Sequence, residues 1–179
     1  MITLVLGGAR SGKSAVAEAL TARLPEPVTY VATVASESLA GDAALSARVA
    51  AHQARRPASW RTIEPGDQLC DAVAGSDGTV LLDALGPWVA AGPDFAVDVA
   101  GLCQALTGRG GDTVVVSEEV GLGVHPSSDS GRRFRDALGE LNQAVAAVAD
   151  DVLLVIAGRT LKLDPRIDRL DPRIDGLGQ

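Results

Sequence analysis

The stretch that decides the fold is GGARSGKS, Gly7–Ser14. It fits G-x-x-x-x-G-K-[ST], the spacing of a phosphate-binding loop, and its flanks are the ones such a loop needs. Before it, MITLVL is a short apolar run closed by Gly7-Gly8, which reads as a buried strand. After it, KSAVAEALTARL has helical spacing, with Val16, Ala19, Leu20 and Leu24 on one side. In that setting the glycines let backbone N–H groups turn inward around phosphate oxygens, and the helix N-terminus adds partial positive charge. Lys13 would reach the β- and γ-phosphates and the Ser14 hydroxyl would bind Mg²⁺. The bland alternative is a glycine-rich strand-to-helix turn that binds nothing; agreement of motif and context argues against it. The only lysines are Lys13 and Lys162 against fourteen arginines. An arginine-biased chain that keeps lysine in this loop suits a site where a compact ammonium fits and a planar guanidinium does not.

Working outward, VTYVATV, TVLLD (Thr79–Asp83), DTVVVSEEVG (Asp112–Gly121) and DVLLVIAG (Asp151–Gly158) are further short apolar runs ending on polar residues or glycine. Continuous rather than alternating apolar strands imply burial on both faces, hence a parallel sheet between helices. SGRRFRDALGELNQAVAAVAD is the clearest helix, with Phe134, Leu138, Leu141, Val145 and Val148 forming one stripe. Arg135, Gly139 and Asn142 fall together beside that stripe, a face expected to meet a large ligand, a neighbouring subunit or solvent. Asp83 closes the TVLLD strand, where an acid at a strand tip holds Mg²⁺ in phosphate-loop proteins; an ordinary strand-end carboxylate is the alternative. We expect one domain over residues 1–163. Residues 164–179 read as a polar, proline-interrupted tail, within which LDPRID (Leu163–Asp168) recurs at Leu170–Asp175.

Composition bounds the function. The 179-residue chain is 46% hydrophobic and 22% charged, as expected of a folded globular protein, and only 3% aromatic, so its core is aliphatic. A net charge of −7 argues against a general nucleic-acid or anionic-membrane surface, so an anionic ligand needs a local basic pocket. Cys70 and Cys103 lack metal-ligand spacing and read as free thiols. ITLVL is too short for a signal peptide or membrane span, from which a cytoplasmic protein is expected.

A local basic cluster lies in the first third of the chain. SARVAAHQARRPASW, Ser46–Trp60, crowds Arg48, His52, Arg55 and Arg56 into nine positions of a predicted Asp42–Arg56 helix. Three guanidiniums would hold the imidazole neutral at pH 7, and would also orient phosphates. A neutral histidine there is a candidate nucleophile on phosphorus. From spacing alone, a solvated basic helix face explains the cluster equally well.

These motifs together resemble the bifunctional adenosylcobinamide kinase / adenosylcobinamide-phosphate guanylyltransferase family of cobalamin biosynthesis. The resemblance runs from about Ile2 to Leu163. It rests on GGARSGKS, YVAT (Tyr30–Thr33), RVAAHQARRPASWRTIE (Arg48–Glu64), LLDAL (Leu81–Leu85), EVGLGVHP (Glu119–Pro126) and the Arg132–Gly158 segment. It implies an α/β P-loop NTPase fold, a RecA-like three-layer sandwich with a mostly parallel central sheet, assembled as a homotrimer. It implies phosphorylation of adenosylcobinamide by ATP or GTP, then transfer of GMP from GTP through a histidine to adenosylcobinamide phosphate, with release of pyrophosphate. No nucleic acid or membrane partner is implied. The guanylylated residue corresponds to His52. The GTP contacts correspond to Gly7, Gly8, Ala9, Arg10, Ser11, Gly12, Lys13 and Ser14, to Ala32, Thr33 and Val34, to Gln53, Ala54, Arg55 and Arg56, and to Glu64 and Asp83. Ser14 and Asp83 are the Mg²⁺ positions. Glu64 suits guanine, since a carboxylate accepts from both N1–H and the 2-amino group. Four positions depart from the family pattern: Glu118 stands where asparagine is expected, Gly86-Pro87 where threonine and an apolar residue are expected, and His125 where an aliphatic is usual. Two other readings of the residues remain, a phosphate-loop kinase without a covalent histidine step and a regulatory nucleotide switch. The chain lacks the sensing loops a switch needs.

Overall fold

The computed structural model describes residues 1–34 and 56–163. The predicted Asp42–Arg56 helix therefore lies, except for Arg56, outside the described residues, as does the 164–179 tail. The described residues form a seven-stranded sheet. Its strands are β1 (Ile2–Gly7), β2 (Val28–Ala32), β3 (Arg61–Ile63), β4 (Thr79–Asp83), β5 (Thr113–Glu118), β6 (Asp151–Ile156) and β7 (Arg159–Lys162). Their order is β3-β2-β4-β5-β1-β6-β7. Every pairing is parallel except that of β6 with β7, which closes one edge as an antiparallel hairpin.

The apolar runs become strands because both sheet faces are covered. In β1, Leu4 and Leu6 face one core and Val5 the other; in β4, Val80 and Leu82 face the first and Leu81 the second. Both cores take fully buried aliphatics, so polar alternation never appears in the sequence. On one face lies α1 (Lys13–Thr21); on the other lie α2 (Leu69–Ala74), α3 (Leu85–Ala91), α4 (Val99–Gly108) and α5 (Asp129–Val148). This is the three-layer P-loop NTPase fold expected, with β5 inserted between the phosphate-loop strand β1 and the Asp83 strand β4.

The long α5 follows its predicted stripe: Leu138, Leu141 and Val145 are fully buried, with Phe134 and Val148 packed beside them. Ser128 caps it by accepting from the Gly131 N–H at 3.1 Å. In α1 the stripe is rotated from the expected one. Ala19 is exposed, and the buried residues are Lys13, Ala17, Glu18 and Thr21, with Val16, Leu20 and Leu24 partly buried beside them. The sequence reading assigns no element to residues 84–111, yet α3 and α4 occupy most of that span. Gly86-Pro87 looks like a breaker, but it lies in the first turn of α3, where a missing N–H costs nothing because that donor has no intrahelical partner.

Candidate nucleotide site

Parallel strands end together, so register decides which residues meet at the carboxyl edge of the sheet. Gly7 of β1 pairs with Glu118 of β5, and Ala32 of β2 with Asp83 of β4. The phosphate loop, two carboxylates and the start of the Thr33-Val34 segment thus gather where ligands bind in open α/β sheets.

The loop is held in shape by its own backbone and by the β6–β7 turn. The Ser11 N–H donates to the Gly8 carbonyl at 3.2 Å, the Lys13 N–H to Ser11 Oγ at 3.3 Å, and the Gly158 N–H to the Ser11 carbonyl at 2.7 Å. Gly12 sits at φ +93°, a backbone that L side chains rarely adopt, and a Cβ there would stand 3.2 Å from Gly158 Cα. The α1 N-terminus carries no side-chain cap and no acid in its first turn. A helix N-terminus without a competing acid is the kind that favours a phosphate. Lys13 is buried, 8% exposed, with Nζ 3.5 Å from the Gly8 carbonyl and 3.9 Å from Glu118 Oε1. Ser14 follows it in the first turn of α1.

Asp83 is not a bare strand end. The buried Tyr30 hydroxyl donates to its Oδ2, and Thr33 Oγ1 donates to the Asp83 and Ala84 carbonyls at 3.1 and 2.5 Å. Burial, and then the negative charge of Asp83, push the Tyr30 hydroxyl far above the usual phenol range, so it remains a proton donor to that carboxylate. Arg56 stacks over the Tyr30 ring, its guanidinium carbon 3.4 Å from the ring centroid, with Nη1 3.4 Å from Thr62 Oγ1. Tyr30 therefore couples the beginning of the described segment after the basic cluster to the carboxylate at the sheet edge.

Glu118 ends β5, the strand that lies between the Asp83 strand and the loop strand. Its Oε2 accepts from the Gly86 N–H at 3.0 Å, while Oε1 faces Lys13. A cleft of about 560 Å³ opens beside the loop strand, between α5 and strands β1 and β6. Leu6, Val120 and Val152 floor it, and Arg135, Gly139 and Asn142 all line it, as their helical spacing predicts. Asn142 Nδ2 donates to the Glu118 carbonyl at 3.0 Å, which ties the cleft to the carboxyl edge of the sheet. Arg135 donates to His125 Nδ1 at 2.9 Å, a guanidinium having no acceptor to offer.

Residues 3–163 match the family model described as cobinamide kinase / cobinamide phosphate guanyltransferase. The chain belongs to this family. It is 38% identical to the bifunctional adenosylcobalamin biosynthesis protein CobU of Salmonella typhimurium, over 91% of this chain and 99% of that one. It is likewise 38% identical to the corresponding CobP of Pseudomonas aeruginosa, over 91% of this chain and 97% of that one. Among solved structures, the VirB11 ATPase of Brucella suis is similar at 15% identity and a TM-score of 0.46, over 91% of this chain and 47% of that one.

For this family member, the structure brings Gly7–Ser14, Ala32–Val34 and Asp83 to one edge. Glu64, exposed, follows β3 at the far side of β2. His52, Gln53, Ala54 and Arg55 lie outside the described residues. What the sequence reading missed is partnership: Tyr30 on Asp83, Gly158 bracing the loop, and Glu118 on both Lys13 and Gly86. The departure of Glu118 and Gly86 from the family pattern was visible, but nothing local said that the two touch.

Proposed function

We propose that the chain phosphorylates the aminopropanol hydroxyl of adenosylcobinamide with a nucleoside triphosphate. It then takes GMP from GTP onto His52, releasing pyrophosphate, and passes it to adenosylcobinamide phosphate to give adenosylcobinamide-GDP. The observation that carries this reading is the buried Lys13 in a braced phosphate loop, with the Glu118 carboxylate 3.9 Å away, in a member of this family. Loop N–H groups and Lys13 hold the β- and γ-phosphates and neutralise charge that grows on the leaving group. Arg56 and its neighbours in the basic cluster orient the guanosine triphosphate, and Glu64 accepts from guanine. The Ser14 hydroxyl and the Asp83 carboxylate are hard oxygen donors that would hold Mg²⁺ together with phosphate oxygens. No group of three or more His, Cys, Asp or Glu among the described residues could cage a metal, which suits an ion that shares its shell with substrate and water. Bound there, Mg²⁺ supplies charge neutralisation on the phosphates.

His52 attacks the α-phosphorus with its neutral nitrogen and later yields GMP to the acceptor phosphate. The working form is a cytoplasmic homotrimer. Adenosylcobinamide incubated with γ-labelled ATP should become labelled by the wild-type chain and not by Lys13→Ala. Equal labelling by both would refute the loop assignment. A kinase without covalent histidine would label the acceptor but never carry α-phosphate from GTP.

A further inference from the structure

We propose that Glu118 is the catalytic base of the phosphorylation step, the group that takes the proton from the acceptor hydroxyl. The proposal rests on the phosphorylation reading above. It begins from placement. Glu118 ends β5 in register with Gly7, the first residue of the phosphate loop. Its Oε1 lies 3.9 Å from Lys13 Nζ, and that ammonium is the group that reaches the terminal phosphate. A carboxylate oxygen one contact from Lys13 therefore borders the place where the γ-phosphorus and its nucleophile meet.

The carboxylate is also aimed. Oε2 is pinned by the Gly86 N–H at 3.0 Å, and the Glu118 backbone carbonyl is held by Asn142 Nδ2 at 3.0 Å. Two independent ties leave Oε1 as the oxygen that turns toward the site. Gly86 is part of the device: a Cβ there would stand 2.5 Å from Oε2 and push the carboxylate away. The Glu118 side chain is 28% exposed, so the carboxylate is not sealed from an entering alcohol. Asp83, the other strand-end acid, has its Oδ2 occupied by the Tyr30 hydroxyl and is the acid offered to the metal.

The step balances. When nucleotide enters, Lys13 turns to the phosphates and Oε1 accepts a hydrogen bond from the acceptor alcohol. As the alcohol oxygen bonds to the γ-phosphorus, its proton passes to Oε1. The bond from the γ-phosphorus to the bridging oxygen breaks, and its electron pair leaves on the nucleoside diphosphate. Protonated Glu118 returns its proton to solvent after the products depart.

The test uses the full chain, γ-labelled ATP and adenosylcobinamide, and compares wild type with Glu118→Gln, Gly86→Ala and the double variant. Glutamine keeps an oxygen for the Gly86 N–H but cannot take a proton. Glu118→Gln should lower kcat by about 10²–10⁴-fold, the span of a positioned general base, with KM for ATP and acceptor changed less than about threefold. Gly86→Ala should lower kcat by roughly tenfold through displacement of the same carboxylate, and should add nothing in the Glu118→Gln background. That non-additivity is what a merely structural Glu118 would not give, and Gly86→Ala still reads the proposal if Glu118→Gln folds poorly. A Glu118→Gln kcat within about threefold of wild type, or a loss expressed wholly as a raised ATP KM, would overturn it and leave Glu118 as a charge partner of Lys13. Absence of acceptor labelling by wild type would overturn the phosphorylation reading itself.

Discussion

Gly12→Ala should weaken the phosphate loop by an amount that can be worked out before the experiment. Gly12 holds φ +93°, outside the ordinary left-handed well, and an alanine kept there costs about 1–3 kcal/mol. Its Cβ would also press on Gly158 Cα at 3.2 Å. The Gly158 backbone is tied by its N–H to the Ser11 carbonyl at 2.7 Å and yields little, which adds on the order of 1 kcal/mol. The total is about 2–4 kcal/mol, and it can surface in two places. If the loop keeps its shape, urea unfolding reports the loss as lower stability. If the loop relaxes in the free protein, native stability is spared and nucleotide must restore the shape, which weakens binding by roughly 30- to 1,000-fold. The sum of the two losses is the predicted quantity. Gly110→Ala, with open space around its Cβ and no positive φ, is the control and should change stability by less than about 0.5 kcal/mol. A summed loss for Gly12→Ala no larger than the control's would refute the claim that this backbone is preorganised for phosphate.

Three other outcomes follow from the geometry. Arg109→Met should destabilise by about 2–4 kcal/mol in urea unfolding, because its guanidinium joins the Ser76, Gly78 and Asp112 carbonyls and Thr113 Oγ1, which the variant leaves without that donor. Gly139→Leu should fold normally, since nothing lies within 4 Å of its Cβ, yet raise the KM for the corrinoid by about tenfold by filling the cleft; an altered oligomer instead would mark this face as a subunit contact. Cys70 and Cys103 should alkylate at pH 8 more slowly than an unfolded-chain thiol, because burial raises both pKa values, with Asp98 adding to the effect at Cys70; folded and urea-unfolded rates that coincide would deny it.

The legible parts of this molecule are those whose signal is local. The phosphate loop is complete within eight residues, and α5 writes its stripe from Phe134 to Val148, about four turns. β1, β4 and β5 are apolar because each is covered on both sides. The parts that were not legible depend on distant partners. β7 is polar and exposed along its length and is a strand only because β6 pairs with it. α2 is six residues long, too short for periodicity to speak. The site divides the same way. Lys13 and Asp83 were readable from motif and strand end, whereas Tyr30 meets Asp83 across 53 positions and Glu118 meets Gly86 across 32, contacts made by register rather than by neighbouring sequence.

Transfer of GMP through the protein is the step that sets the proposed enzyme apart from a simple kinase. The measurement is incubation of the full chain with GTP labelled at the α-phosphate, followed by denaturation and by chase with adenosylcobinamide phosphate. Wild type should carry covalent label that is stable to alkali and labile to acid, as a phosphoramidate is, and the acceptor should discharge it. His52→Asn should carry none while still phosphorylating adenosylcobinamide. Label that persists in His52→Asn and disappears in His125→Asn would contradict the account and move the nucleophile to the loop beside Arg135.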